Sequence, residues 1–256
     1  MFFTNIADIF SRYSASIWLG IRTTLYVSTI GTACGFVIGL FVGALRASKP
    51  DTNASKAWCI TKKILDVIAN IYIAIFRGTP MMVQALFIYY SLVNVIHWSN
   101  MGAALFVISI NTGAYMSEIL RSGIQAVDPG QNEAARSLGM TSSQTMMSVI
   151  LPQAVKNAFP AIGNEWIVNI KDSSVLMIIS ITELMFQSKS IAGSTYHFTE
   201  MYFVEALIYF IMTTIASLIL NAIEKKMRQK KTSLPQSDTD PTSMSLAQGG
   251  NSDVTR

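Results

Sequence analysis

From Ile17 to Leu45 the chain is an almost unbroken apolar run. At about 1.5 Å of rise per residue, a helix of that length crosses the roughly 30 Å hydrocarbon core of a bilayer. Lipid offers backbone N–H and C=O groups no water, so a single run of this kind is restricted to a helix, which satisfies its hydrogen bonds within itself. Four further apolar segments follow: Met81 to about Val95, Met101–Leu120, Ala161–Ile181 and Tyr202–Ala222. The expected fold class is therefore all-α integral membrane, with five transmembrane helices. With 51% hydrophobic and 13% charged residues in 256, the chain is too apolar for a soluble domain of its length.

Three regions are expected: an interfacial N-terminal helix over 1–16, a transmembrane domain over 17–231 and a disordered C-terminal tail over 232–256. Phe2, Ile6, Ile9, Phe10 and Tyr13 fall at helical spacing but are too few to span, which favours a helix lying in the interface. Gly31, Gly35, Gly39 and Gly43 recur every four residues in the first span and give another helix room to approach closely. The second span is short unless it borrows turns from the apolar helix Ile64–Phe76, which Gly78 and Pro80 break. Residues 182–201 read as an external loop with room for a short apolar re-entry. The tail is rich in Ser, Thr, Asp, Gln and Gly. Cys34 and Cys59 supply neither a disulfide framework nor metal-ligand spacing, and His97 and His197 stand far apart at segment ends. No phosphate-binding GxxxxGK[ST] loop and no GxSxG elbow occurs.

Between the third and fourth spans lie forty residues, Arg121 to Pro160, punctuated as helices. Asp128 is placed to cap a helix whose first position is Pro129, with Gln131 three residues on to complete a capping box. Gly139 stops that helix by a left-handed turn. Thr141 with Gln144 repeats the box and starts a second helix, which Pro152 is expected to break or kink. Two short helices at a glycine elbow make a compact knob.

Glu133-Ala134-Ala135, Gly139 and Leu151-Pro152 resemble the EAA loop of ABC importer permeases, EAA-x3-G-x9-I-x-LP, with Val149 where that pattern has Ile. Phe76-Arg77-Gly78-Thr79-Pro80 with Val83-Gln84 is similar to the RGTP-x-x-VQ segment of polar amino-acid permeases. Asn111-Thr112-Gly113-Ala114-Tyr115 with Glu118, Gly163-Asn164-Glu165-Trp166, and Lys171-Asp172-Ser173-Ser174 resemble further elements of the same type I, binding-protein-dependent family. The resemblance covers about Trp18 to Arg228. It implies a permease subunit that forms the path for a polar or charged amino acid. Its partners would be a cytosolic ABC ATPase dimer docked on Glu133, Ala134, Ala135, Gly139, Leu151 and Pro152, a second permease subunit, the same or homologous, and an external solute-binding protein. This chain would not be an enzyme and would bind no cofactor, ATP and Mg belonging to the ATPase.

Polar residues inside spans mark candidates for the path, because a charge at mid-membrane costs about 2.5–3.5 kcal/mol on insertion scales. They are Asn111, Tyr115 and Glu118 in the third span and Asn164, Glu165, Asn169 and Asp172 in the fourth. Asn111 and Tyr115 share a helix face, as do Glu165 and Asp172, seven residues apart. Two carboxylates suit an ammonium or a basic side chain. The competing use of these residues is helix–helix bonding, through Lys171–Asp172 or a pair of Glu165 with an arginine. Arg77 is read as meeting headgroups or a cytosolic surface.

Thirteen basic residues lie in 46–63, 121–160 and 225–231, against Arg12 and Lys189 on the other side. Positive-inside puts the knob and C-terminus in the cytosol of a bacterial plasma membrane, and the N-terminus outside. The net charge of +4 thus belongs to a bilayer partner and not to nucleic acid. Two other classes remain: an ion-gradient-driven carrier, for which internal repeats would speak and none is found, and a membrane anchor, which leaves the polar fourth span without a role.

Overall fold

The computed structural model describes residues 2–47 and 55–232, with side chains through Met227. The expected disordered tail and Lys49 of the 46–63 loop lie outside the described residues, apart from Thr232. The first compact unit ends at Leu220, and the described part of the second is the end of the last helix. The elements are α1 (Phe2–Ala47), α2 (Lys56–Gly78), α3 (Met81–Ile96), α4 (Asn100–Gln125), α5 (Pro129–Ser137), α6 (Ser142–Thr145), α7 (Leu151–Asp172), α8 (Leu184–Thr195) and α9 (Phe198–Thr232). A π-turn, Met146–Ile150, joins α6 to α7, and a 3₁₀ stretch, Ser173–Ile179, follows α7. No strand occurs among the described residues.

Three helices are long and apolar enough to cross a membrane: α1, α4 and α9 over Phe198–Met227. A bent pair, Ser142–Ile179 with α8 at 58°, makes a broken span or a re-entrant loop, and α3 is shorter. Large side chains such as Phe41, Phe87, Phe210 and Leu218 point outward from these helices, as a lipid-facing surface requires.

The bundle is organised on the seam between α1 and α4. Gly31, Gly35, Gly39 and Gly43 are all buried there. A Cβ built on them would meet Ile108, Thr112, Met116 and Leu120 in turn. Both series rise together, so α1 and α4 run parallel. Close backbone approach gives dispersion contact where lipid removes the hydrophobic drive. On the other flank of α4, Gly123 lies against Ala154 and Ala158 of α7, while Thr112 bonds Asn169, so α7 is antiparallel to α4. Gly163 of α7 abuts Leu220 of α9.

Four expectations meet a more specific local structure. Residues 2–16 are continuous with the first span as one 46-residue helix, whose Ile9 and Ile17 are buried in a cluster with Ile191, Met201 and Val204. Pro152 does not break the chain: a π-turn precedes it, and as the second residue of α7 its missing N–H is absorbed where the hydrogen-bond register changes. Within the stretch 121–160, residues 121–125 are the end of α4 and residues 151–160 the start of α7. Within 182–201, where a loop with room for a short apolar re-entry is expected, Leu184–Thr195 is α8, whose Leu184, Ser188, Ile191 and Ala192 are buried. Gly20 of α1 lets it come so near that a Cβ there would lie 2.9 Å from the Leu184 Cα.

The second span does draw on the turns before the break. α3 has 16 residues, about 24 Å of helix. α2 meets α4 at mid-height, where Tyr72 Oη donates to the Ile110 carbonyl at 2.5 Å. The free carbonyls at the break are taken by side chains: Gln84 Nε2 donates to Phe76 O at 3.0 Å and Thr79 O at 2.9 Å, Asn111 Nδ2 to Phe76 O at 3.3 Å, and Thr79 Oγ1 to Ile75 O at 2.8 Å.

Candidate functional site

The knob is built by local chemistry. Asp128 caps α5 by accepting from the Gly130 N–H at 2.8 Å, and Pro129 takes the first position. Gln131 does not close a capping box: its side-chain carbonyl accepts from Gln153 Nε2 at 3.3 Å and ties α5 to α7. α5 ends in a Schellman turn, with Gly139 at φ +82, Gly139 N–H donating to Arg136 O and Met140 N–H to Ala135 O. The second box is complete: Gln144 N–H donates to Thr141 Oγ1 at 3.2 Å, and Thr141 N–H to Gln144 Oε1 at 2.9 Å. Beneath them Val127, Ile150 and Ala154 form a small core. Ala135 and Leu151 face inward, while Glu133, Ala134, Gly139 and Pro152 lie on the surface. Leu138 is 84% exposed and Met147 58%, so the knob presents apolar side chains beside Glu133 to whatever docks on it.

The polar residues of the spans divide into two sets. Asn111, Asn169 and Glu118 hold helices together. Asn111 Nδ2 donates to Gln84 Oε1 at 2.8 Å and joins the break to α4. Asn169 Nδ2 donates to Thr32 Oγ1 at 2.7 Å and Thr112 Oγ1 at 2.9 Å, joining α1, α4 and α7. Glu118 is paired with Arg46 at the end of α1 and with Arg121 at 2.8 Å, and Arg77 stands 3.9 Å away. Three cations of three helices thus meet one carboxylate, each of them long enough to reach it from a helix end.

The second set is Tyr115, Asn164, Glu165 and Asp172. Arg77 lies over the Tyr115 ring, 5.4 Å from its centroid, with its side chain 44% exposed. Asn164 and Asp172 are exposed and Glu165 is half-buried; the seven-residue spacing that aligns Glu165 with Asp172 also aligns it with Ala158 one step nearer the knob. Neither carboxylate makes a hydrogen bond or ion pair with another described residue; Asp172 repels Glu165 and Arg77 attracts it through space. Among the described residues the alternative pairs, Lys171–Asp172 and Glu165 with an arginine, do not meet at contact distance, but Lys171 attracts Asp172 through space as Arg77 attracts Glu165. Gln84, Thr32 and Arg46 were not among the sequence candidates. Gln84 was visible within its motif, but nothing local tells that an amide eight residues on will satisfy Phe76 O.

Residues 57–229 match the family described as binding-protein-dependent transport system inner membrane component. The chain is 35% identical over 212 residues to the glutamine transport system permease protein GlnP of Escherichia coli strain K12, covering 82% of this chain and 91% of that one. It is 32% identical over 211 residues to the arginine transport system permease protein ArtQ of Bacillus subtilis strain 168, with the same coverage of 82% and 91%. A crystal structure of an amino acid ABC transporter with histidines superposes with a TM-score of 0.73 at 39% identity, over 84% of this chain and 96% of that chain. The inward-facing MetNI methionine ABC transporter shares the fold, with a TM-score of 0.65 at 19% identity over 82% and 97%. The chain belongs to the binding-protein-dependent inner membrane components, the multi-pass permease family of ABC importers, whose members transport and are not enzymes.

Proposed function

We propose that this chain is the permease subunit that forms the translocation path for a polar or charged amino acid in an ATP-driven importer. The observation that carries the reading is the pair of carboxylates on α7. Glu165 and Asp172 stand on a membrane-spanning helix with no ion pair among the described residues. Charges left so in a bilayer are expensive unless they face water or a ligand. Tyr115, Asn164, Glu165 and Asp172 would line the path and take the substrate's ammonium or basic side chain, with Arg77 at its edge. Asn111, Glu118 and Asn169 would fix the helices around it.

The arrangement would take five crossings. α1 runs one way, the broken α2–α3 pair returns, α4 runs parallel to α1, α7 returns, and α9 crosses last. The termini then lie on opposite sides, and positive-inside places the knob in the cytosol and the N-terminus outside. Five spans do not enclose a two-gated path, so a second permease subunit completes it, isologously if it is a copy. A cytosolic ATPase dimer carrying ATP and Mg would dock on Glu133, Ala134, Ala135, Gly139, Leu151 and Pro152, and a solute-binding protein would deliver substrate on the other side.

The test is ATP-dependent uptake of labelled amino acids into proteoliposomes holding the assembled transporter and its binding protein. Glu165→Gln with Asp172→Asn is expected to lower uptake at least tenfold while the ATPase stays bound. Wild-type uptake that runs without ATP, driven by an ion gradient, would return the reading to a carrier. Uptake unchanged in the double variant would remove the carboxylates from the path.

A further inference from the structure

Glu118 is a crowded anion. Its Oε1 is taken by Arg46, and its Oε2 accepts from Arg121 Nε at 2.9 Å and Arg121 Nη2 at 2.8 Å. Arg77 comes third: its Nη1 stands 3.9 Å from an oxygen already held twice, too far for a hydrogen bond. Its guanidinium lies over the Tyr115 ring instead, and its side chain is 44% exposed. Three arginines on one carboxylate leave two positive charges in excess here, and Arg77 is the member that Glu118 occupies least.

The contacts of α4 give the height of this cation in the bundle. Arg77 is in the last turn of α2, next to Phe76, whose carbonyl accepts from Asn111. Its guanidinium is at Tyr115, so the side chain runs about one turn along α4 towards the knob. On α7, Asn169 meets Thr112 of α4, and the two helices are antiparallel. One turn towards the knob from that contact lies Glu165 on α7, level with Tyr115 and Met116 on α4. Arg77 and Glu165 are therefore opposite charges at one height, attracted through space without meeting in an ion pair among the described residues. Asp172 lies about 10 Å farther along α7, away from the knob.

A guanidinium level with a carboxylate, and not closed on it, leaves room for a molecule that carries both charges. We propose that Arg77 determines specificity in the path: it takes the α-carboxylate of an amino acid whose α-ammonium lies at Glu165 and whose side chain extends towards Asp172. The inference rests on the path reading above. A guanidinium offers a carboxylate two parallel N–H donors, and the Tyr115 ring beneath it fixes the plane of that fork. Glu118 serves as a tether, near enough to hold Arg77 in place and too far to use up its donors. An amine with the same side chain but no carboxylate leaves Arg77 unmatched, so the site separates amino acids from amines. Arg46 and Arg121 stay on Glu118 when Arg77 is removed, so its removal tests recognition and spares the helix contacts.

The test is equilibrium binding to the permease–ATPase complex in lipid nanodiscs, without a binding protein, so that selectivity belongs to the membrane subunits. The standard L-amino acids are screened in labelled form, and the tightest is compared with its decarboxylated amine. Wild type is expected to prefer the amino acid by roughly tenfold or more. Arg77→Met should abolish that preference with amine affinity unchanged, and Arg77→Lys, a point charge without the fork, should keep part of it. A wild type without preference, or a preference unchanged in Arg77→Met, overturns the inference. So does a preference lost only in Lys171→Met, the other cation beside the carboxylates. Loss of both ligands in Arg77→Met and Arg77→Lys alike makes Arg77 structural and overturns it too. The path reading itself fails if wild type binds none of the amino acids, or if Glu165→Gln leaves binding unchanged. Binding weakened by Glu165→Gln, with Arg77→Met still selective, removes only the role of Arg77.

Discussion

Replacing Gly39 by alanine should loosen the parallel seam between α1 and α4. In an unpacked helix the change is favourable, since glycine costs about 0.8–1.0 kcal/mol relative to alanine. At Gly39 the new methyl would collide with the Met116 Cβ and lie 2.9 Å from both Met116 C and Ser117 N. Backbone cannot rotate away as a side chain can, so α1 must retreat from α4 as a unit. Overpacking of that kind costs about 1–3 kcal/mol, and backbone neighbours place this site at the upper end. The difference leaves a destabilisation of about 1–2 kcal/mol. Gly193 of α8 has nothing within 4 Å of its built Cβ and serves as the control, with alanine there neutral or stabilising. Gly43, whose nearest neighbours are at 3.2 Å, should fall between them. Equilibrium unfolding in lipid bicelles measures all three. Gly39→Ala as stable as wild type, or no less stable than Gly193→Ala, would show that the seam does not depend on contact at this point.

Glu133→Arg, which reverses the charge on the exposed face of α5, should abolish ATPase association and uptake together while the spans stay folded, as pull-down with transport would report. Thr141→Ala removes the acceptor for Gln144 N–H and should cost about 1 kcal/mol, seen as faster hydrogen exchange confined to 141–145. Glu118→Gln leaves Arg46, Arg121 and Arg77 facing each other without their anion; a broken buried pair costs about 3–5 kcal/mol, and the partial exposure of all four groups brings the expected loss to about 1–3 kcal/mol. A Tm unchanged by Glu118→Gln would show that the cluster is a surface accident.

Caps and spans were legible because their chemistry is local. Asp128-Pro129, Gly139 and the Thr141–Gln144 box each need a few consecutive residues, and all formed as read. The apolar segments likewise announce themselves, and the glycine spacing of α1 gave its packed face without naming α4 as the partner. What the sequence withheld is the identity of partners far along the chain. Glu118 and Arg46 are 72 residues apart, and Asn169 and Thr32 are 137 apart. Each was visible as a polar residue in or beside a span, which left a path role and a structural role equally open. Proline rules failed at Pro152 because a π-turn changed the register before the missing donor mattered. In residues 182–201 the Glu, Lys and His point to a loop, while Leu184, Ile191 and Ala192, which line one buried face of α8, leave room for the apolar re-entry.

The knob closes its own helix ends. The Schellman turn at Gly139, the box at Thr141 and the Gln131–Gln153 bond leave little of residues 128–153 to be ordered by a partner. A flexible segment would spend about 0.5–1.5 kcal/mol for each side chain immobilised on docking. A segment already rigid transmits displacement as a strut does, because the backbone hydrogen bonds of α5 and α7 are stiffer than any loop joining them. Motion imposed on Glu133 would therefore arrive at Leu151 without being absorbed, and would meet in α7 a joint at Pro160, which donates no backbone hydrogen bond, before reaching Glu165 and Asp172.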